Sequence, residues 1–195
     1  MKVYPSTIKF ILDGEIKTVD FNKTGLKPTT TVLIYLRSLP GHKGVKEGCA
    51  EGDCGACTVV VASLDNRGNL EYKSIDSCLV FLPMIHGSQL ITIENLARKE
   101  NNQIRLHPVQ KSMVDNDGSQ CGYCTPGIAM SLFALYKNHE MPLEETITDA
   151  LTGNLCRCTG YRPIVDAAKS LFTDKQPDQF SSSEKTVADL LRKIN

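Results

Sequence analysis

Residues 47–58 read EGCAEGDCGACT and are the most informative segment of the chain. It contains Cys49, Cys54 and Cys57 in the spacing C-x4-C-x2-C, and Cys78 follows after twenty further residues. The glycines between the cysteines allow the backbone to come close to a bound group, because no Cβ stands in the way. Thiols grouped so closely on one loop favour ligation of a metal centre.

The spacing of these four cysteines is typical of a plant-type [2Fe–2S] cluster. Three thiolates would come from one loop, and the fourth, from Cys78, would close the cage from another segment. Backbone N–H groups in such a loop stabilise the negative charge that reduction adds. The first cysteine set therefore predicts a carrier of single electrons.

A second cysteine set lies later in the chain, as Cys121-x2-Cys124 and Cys156-x-Cys158. Two close pairs of this kind are equally compatible with a structural zinc ion. One pair precedes a helix predicted to begin at Thr125, and the positive end of a helix dipole favours an anionic cluster. The spacing alone leaves zinc and [2Fe–2S] equally open.

The composition describes a neutral globular chain. Its 195 residues include 22 basic and 22 acidic side chains, no tryptophan and 6% aromatic residues. This balance gives no reason to expect a nucleic acid or a membrane surface as a partner. No targeting or membrane-spanning segment is recognisable in the sequence, so we expect a cytoplasmic protein, in which disulfides are disfavoured.

The first half of the chain is predicted to form strands and one short helix. Asp13-Gly14 indicates a hairpin turn, and Thr30 or Thr31 is a candidate cap for a helix that continues to Leu39. The predicted strands are Thr7–Leu12, Glu15–Phe21, Thr58–Leu64, Leu70–Ile75 and Gln89–Ile93.

The second half has a helical period. Prolines at first turns and apolar residues spaced by three or four predict four helices. They are placed at Pro108–Val114, Ile128–Tyr136, Pro142 to about Gly153, and Pro163–Phe172. The charged stretch at residues 94–106 is predicted to separate the two halves.

The tail has a different composition. Residues 173–183 are typical of a linker, and Ser181 with Glu184 suggests a capping box for a last helix. Val187, Leu190, Leu191 and Ile194 would form one apolar face of that helix. Docking on its own domain and docking on a partner domain are both open.

Three stretches together resemble the xanthine dehydrogenases and related molybdenum hydroxylases. They are EGCAEGDCGACT at residues 47–58, QCGYCTPG at residues 120–127 and GNLCRCTGY at residues 153–161. They occur in this order within residues 1 to about 172. The resemblance implies that the second set also holds a [2Fe–2S] cluster rather than zinc.

The resemblance implies an α+β fold in three parts. A ferredoxin-like β-grasp domain would occupy residues 1–93, a helical four-helix-bundle domain residues 94–172, and a linker with a short amphipathic helix residues 173–195. The β-grasp cluster would lie nearer FAD and the helical cluster nearer molybdopterin, with Gln120 and Cys158 close to the pterin.

The function implied by the resemblance is electron transfer from a molybdopterin centre through both clusters to FAD. Both groups would belong to partner chains or domains, and this chain would carry no catalytic residue. The alternatives are an iron–sulfur subunit of an aldehyde or related dehydrogenase, a free-standing ferredoxin-like carrier, and a zinc-binding module. The tail resembles the linker before an FAD domain, so either the chain is part of a longer product or the flavin domain is a separate polypeptide.

Overall fold

The first two strands meet at a tight turn in the computed structural model, which describes residues 6–173 and 175–194. Strands β1 (Thr7–Leu12) and β2 (Glu15–Asp20) pair antiparallel, as predicted. Asp13 and Gly14 both have positive φ, at 57° and 77°. Such a turn matches the twist of the strands it joins, and it fixes their register.

The hairpin is part of a five-stranded mixed sheet with the order β2-β1-β5-β3-β4. Strands β1 and β5 are parallel, whereas the other neighbouring pairs are antiparallel. The remaining three strands are β3 (Thr58–Leu64), β4 (Leu70–Asp76) and β5 (Gln89–Ile91). The last strand is shorter than predicted, because a 3-10 turn at Ile93–Asn95 follows it.

One short helix covers the first face of this sheet. Helix α1 (Val32–Ser38) begins after Thr31, whose hydroxyl accepts the N–H of Ile34 at 3.2 Å. Of the two predicted caps, Thr31 is therefore the correct one. Leu33 and Leu36 are buried in one core with Phe10 of β1. A mixed sheet wrapped around one helix is the predicted β-grasp arrangement.

A small hairpin occupies the stretch expected to separate the two halves. Strands β6 (Arg98–Glu100) and β7 (Gln103–Arg105) pair through Asn101 and Asn102, which have φ of 49° and 62°. Asparagine tolerates this left-handed backbone better than most residues. All six strand residues are exposed. No alternation of apolar and polar residues therefore marks these strands in the sequence.

The four predicted helices are confirmed as α2 to α5. Their bounds are Pro108–Asp115 for α2, Thr125–Asn138 for α3, Glu144–Leu151 for α4 and Arg162–Leu171 for α5. Helix α3 is central, since its residues from Gly127 to Tyr136 are all buried. Its core is shared with Val60, Ala62 and Tyr72 of the sheet. The two halves therefore pack on each other through α3.

The last helix, α6 (Gln179–Ile194), packs on the chain's own sheet. Val187 and Leu191 form a buried cluster with Ile11 of β1, which answers the question of where this helix docks. The predicted capping box is wrong, because Ser181 lies inside α6. Asp178 takes that role: its Oδ1 accepts hydrogen bonds of 2.8 Å from both the backbone N–H and the hydroxyl of Ser181.

Asp178 also anchors the supposed linker to the helical half. Its Oδ2 accepts a 3.0 Å hydrogen bond from Nε2 of His107, and its Oδ1 lies 3.1 Å from Nζ of Lys137. Nδ1 of His107 accepts the N–H of Val109, so the ring carries its proton on Nε2. The Asp178 and His107 side chains are fully buried. No helix of the described residues is long and apolar enough to span a membrane.

Candidate metal centres

The first cysteine set gathers at one end of the β-grasp sheet. Cys49 and Cys54 lie on the loop between α1 and β3, Cys57 directly precedes β3, and Cys78 follows β4. The β3–β4 hairpin brings the last two together, and the hydroxyl of Ser77 donates to the Cys57 carbonyl at 2.7 Å. Cys57 and Cys78 are buried, whereas Cys49 and Cys54 are partly exposed. All four predicted ligands thus lie on neighbouring segments.

Backbone N–H groups point at the sulfur atoms of this loop. Sγ of Cys49 accepts from Asp53 at 3.3 Å and from Glu51 at 3.5 Å, and Sγ of Cys54 accepts from Cys49 at 3.4 Å. The Glu51 N–H, followed by contact with Cys54, lowers the pKa of Cys49 to about 7. Donors aimed at sulfur stabilise a thiolate, which is the form that ligates iron.

Burial has the opposite effect on the pKa of Cys57, a buried cysteine of the same set. Burial raises the pKa of Cys57 to about 12; the Cys78 N–H acts against this rise, and the Cys78 thiol adds to it. A thiol kept in an apolar environment is not a reactive nucleophile at neutral pH. The set therefore consists of two contacting pairs, Cys49 with Cys54 and Cys57 with Cys78.

Two glycines leave the room that the loop needs. A Cβ on Gly48 would stand 2.8 Å from Sγ of Cys54, and a Cβ on Gly52 would stand 2.4 Å from Leu79. Gly52 also has a φ of +84°, a conformation that side chains rarely adopt. The loop can follow this path closely around the thiols only with glycine at these positions.

The second cysteine set lies where two turns of the helical half meet. Cys121 and Cys124 precede α3, and Cys156 and Cys158 lie between α4 and α5. Contacts pair Cys121 with Cys158 and Cys124 with Cys156. Burial, with the neighbouring Cys156, raises the pKa of Cys124 to about 12. The Tyr123 N–H, with Cys158, lowers the pKa of the exposed Cys121.

The two cysteine loops touch each other directly. The backbone N–H of Leu155 donates to the carbonyl of Cys54 at 3.0 Å. Leu155 precedes a ligand of the second set, and Cys54 belongs to the first. A single backbone hydrogen bond therefore joins the two predicted cluster sites.

Asn154 reinforces this junction from a buried position. Its Nδ2 donates to the Gly55 carbonyl at 3.0 Å and to Oγ1 of Thr58 at 3.1 Å. Its Oδ1 accepts the hydroxyl of Ser131 at 2.6 Å. Asn154 lies inside one of the three cysteine-rich stretches, but its spacing gives no sign of these contacts.

Glycines also permit the close approach of the two halves. A Cβ on Gly127 of α3 would stand 2.0 Å from the carbonyl oxygen of Gly55. A Cβ on Gly55 would stand 2.3 Å from the carbonyl oxygen of Gly153. Backbone therefore packs on backbone between the two predicted cluster sites.

The donor set fits a pair of two-iron clusters. In the described ranges, 6–173 and 175–194, no three His, Cys, Asp or Glu side chains are placed to hold a single metal ion. The thiols of each set form two pairs instead, and a [2Fe–2S] cluster takes two protein ligands on each iron. Gln120 is exposed and directly precedes Cys121, which contacts the exposed Cys158. Fold and thiols together define a protein that binds two [2Fe–2S] clusters.

Comparisons with known proteins agree with that class. Residues 13–81 match the family described as a 2Fe-2S iron-sulfur cluster binding domain, and residues 92–169 match a [2Fe-2S] binding domain. Xanthine dehydrogenase of Emericella nidulans is 45% identical over 168 residues, and aldehyde oxidase 1 of Cavia porcellus is 43% identical over 167. These alignments cover 86% and 85% of this chain and 12% of each relative.

Solved structures extend the likeness to the fold. A chain of quinoline 2-oxidoreductase from Pseudomonas putida 86 superposes with a TM-score of 0.68 and 26% identity, over 96% of both chains. The chain belongs to the xanthine dehydrogenase family and corresponds to its N-terminal iron–sulfur region.

Proposed function

We propose that this chain carries single electrons between two [2Fe–2S] clusters. Cys49, Cys54, Cys57 and Cys78 are assigned to the first cluster, and Cys121, Cys124, Cys156 and Cys158 to the second. Each cluster, when bound, accepts and releases one electron. The contacting pairs suggest that Cys49 with Cys54, and Cys57 with Cys78, each bind one iron.

The hydrogen bond between Leu155 and Cys54 is the observation that carries this proposal. Leu155 is bonded covalently to Cys156, so a short path of bonds links a ligand of each set. Buried Asn154 and the close contact between Gly55 and Gly127 lie beside this path and hold the two loops together. A module that held two metals only for stability would not need its sites in direct contact.

The size of the relatives supports a role within a larger enzyme. The chain spans 12% of the length of the two relatives above, so most of such an enzyme lies elsewhere. We infer that it relays electrons between a molybdopterin-binding partner and an FAD-binding partner, present as separate chains or as domains. Gln120 and Cys158, which are both exposed, would face the pterin.

We assign the enzyme to the xanthine dehydrogenases, with an aldehyde oxidase as the second candidate. The chain is 45% identical to a xanthine dehydrogenase and 43% identical to an aldehyde oxidase, so both candidates are kept. The substrate pocket would belong to the molybdopterin partner, and this chain would supply cluster ligands and contacts. A cytoplasmic location follows from thiols that must stay reduced to bind iron.

The division into residues 1–93, 94–172 and 173–195 is part of the proposal. The two family matches, at 13–81 and 92–169, support the first two parts. The third part is better described as a cover for the β-grasp sheet, since α6 packs on Ile11.

The test is anaerobic purification followed by assays of iron, zinc and acid-labile sulfide, and EPR after dithionite reduction. We expect about four irons and four sulfides per chain and two S = 1/2 signals. Cys78→Ser should leave about two irons and only the second signal, and Cys124→Ser only the first. Zinc without labile sulfide would refute the proposal.

A further inference from the structure

Tyr123 lies between two ligands of the second set and reaches the loop of the first. Its hydroxyl donates a hydrogen bond to the carbonyl oxygen of Glu47. Its ring carbon Cε1 lies 3.9 Å from the position of a Cβ on Gly48. The side chain therefore contacts the backbone that leads directly into Cys49.

The backbone of Tyr123 is attached to the second site as well. It lies between Cys121 and Cys124 in the sequence, and its N–H is near the Cys121 thiol. One residue thus adjoins thiols of the second set and bonds to the backbone two positions before a thiol of the first. The ring is 49% exposed, so burial of apolar surface does not account for its placement.

Hydrogen bonds cross between the cysteine loops from two different turns, and those of Asn154 to Gly55 and Thr58 start beside the Leu155 bond. The Leu155–Cys54 bond comes from the turn before α5, and the Tyr123–Glu47 bond comes from the turn before α3. The Leu155 and Asn154 bonds hold the first loop near its end, at Cys54, Gly55 and Thr58. The Tyr123 bond holds the same loop at its beginning, at Glu47, and so fixes it at a second point.

We propose that the Tyr123 hydroxyl is a positioning group that fixes the separation and orientation of the two clusters. The inference rests on the proposed function, since it concerns transfer between the two sites. The hydroxyl donates to a carbonyl and to no thiol, so its role is to hold the loops together and not to bind either cluster.

Tyr123→Phe in the full, cluster-loaded chain tests the proposal, because it removes only the hydroxyl. We expect unchanged iron and sulfide contents. The Leu155 amide should exchange its hydrogen about tenfold faster, the factor that corresponds to one hydrogen bond of ~1.4 kcal/mol. In EPR of the fully reduced chain, the magnetic splitting between the clusters should spread over a range of values.

Tyr35→Phe is the matched control, since it removes a tyrosine hydroxyl from α1, away from the contact between the loops. It should leave both readouts at their wild-type values. Wild-type exchange and splitting in Tyr123→Phe would overturn the proposal, and so would loss of a cluster in that variant. Failure of the proposed function would give a different result, because the wild-type chain would itself lack iron. The amide exchange of wild type and Tyr123→Phe could still be compared.

Discussion

The side-chain amide of Asn154 donates to the backbone carbonyl of Gly55 at 3.0 Å, which ties the second cysteine loop to the first. Asn154 is 4% exposed and its amide nitrogen and oxygen make three hydrogen bonds in all. A buried amide of this kind specifies one relative placement of the two halves, because any other would leave its polar atoms unpaired.

Asn154→Ala should lower the free energy of unfolding by ~2–4 kcal/mol, because it leaves the Gly55 carbonyl and the Ser131 hydroxyl without this partner. Urea denaturation of the cluster-loaded chain measures the loss. Asn22→Ala, at an exposed position, should change the value by less than ~0.5 kcal/mol. Equal stability of the two variants would contradict the role assigned to Asn154.

Gly127→Ala should separate the two halves, even though alanine favours a helix. Its Cβ would meet the Gly55 carbonyl at 2.0 Å, so backbone must move, and we expect a loss of ~1–3 kcal/mol. Gly153→Ala is the control, since no atom lies within 4 Å of its added Cβ. Urea denaturation midpoints compare the two variants. A midpoint for Gly127→Ala no lower than that of Gly153→Ala would show that the close approach of Gly127 to Gly55 is unimportant for stability.

Asp178→Asn should destabilise the chain by ~2 kcal/mol at neutral pH, because the buried Lys137 would keep only the half-exposed Glu184 as a charged partner. The comparison is Asp189→Asn, which removes an exposed carboxylate from α6 and should cost less than ~1 kcal/mol. Urea denaturation at pH 7 measures both. A loss in Asp178→Asn as small as that in the control would contradict the argument.

The contribution of Asp178 should also depend on pH. Burial alone would raise its pKa, but the His107 hydrogen bond, the charge of Lys137 and the Ser181 N–H outweigh burial and hold the pKa well below its usual value. A depressed folded-state pKa stabilises the fold above the unfolded value of about 3.9, and that stability is lost as the pH falls below it. The difference between wild type and Asp178→Asn should therefore shrink below about pH 4. A difference independent of pH would contradict this expectation.

Leu191→Ala should lower the free energy of unfolding by ~2–4 kcal/mol, because Leu191 is fully buried against Ile11 and Val187. The exposed Lys185→Ala on the same helix is the control. Denaturation of both variants distinguishes a helix that covers its own sheet from one that docks on a partner. An unchanged stability in Leu191→Ala would favour the partner.

Local signals in the sequence predicted much of the fold. The Asp13-Gly14 turn, the Thr31 cap and the four helices of the second half depend on neighbouring residues, and all were found. The eight cysteines were also placed correctly as two groups, because C-x4-C-x2-C and paired cysteines restrict where the remaining ligands must lie.

Long-range polar partners were missed because spacing does not reveal them. Spacing gives no sign that His107 caps α2 and bonds Asp178, which lies far along the chain. Tyr123 and Asn154 stood inside recognised stretches, but their partners at Glu47 and Gly55 belong to another domain. The β6–β7 hairpin was missed because its strands are short and charged, although Asn101-Asn102 was an available turn signal.

The packing of α6 on β1 has a consequence for the order of folding. Ile11 leaves the ribosome early and Leu191 late, yet the two share one buried cluster. Until α6 has been synthesised, the part of the sheet around Ile11 must stay uncovered, and uncovered apolar sheet surface is prone to aggregation. The first cluster site, which this sheet supports, is therefore most prone to misfolding before α6 has docked.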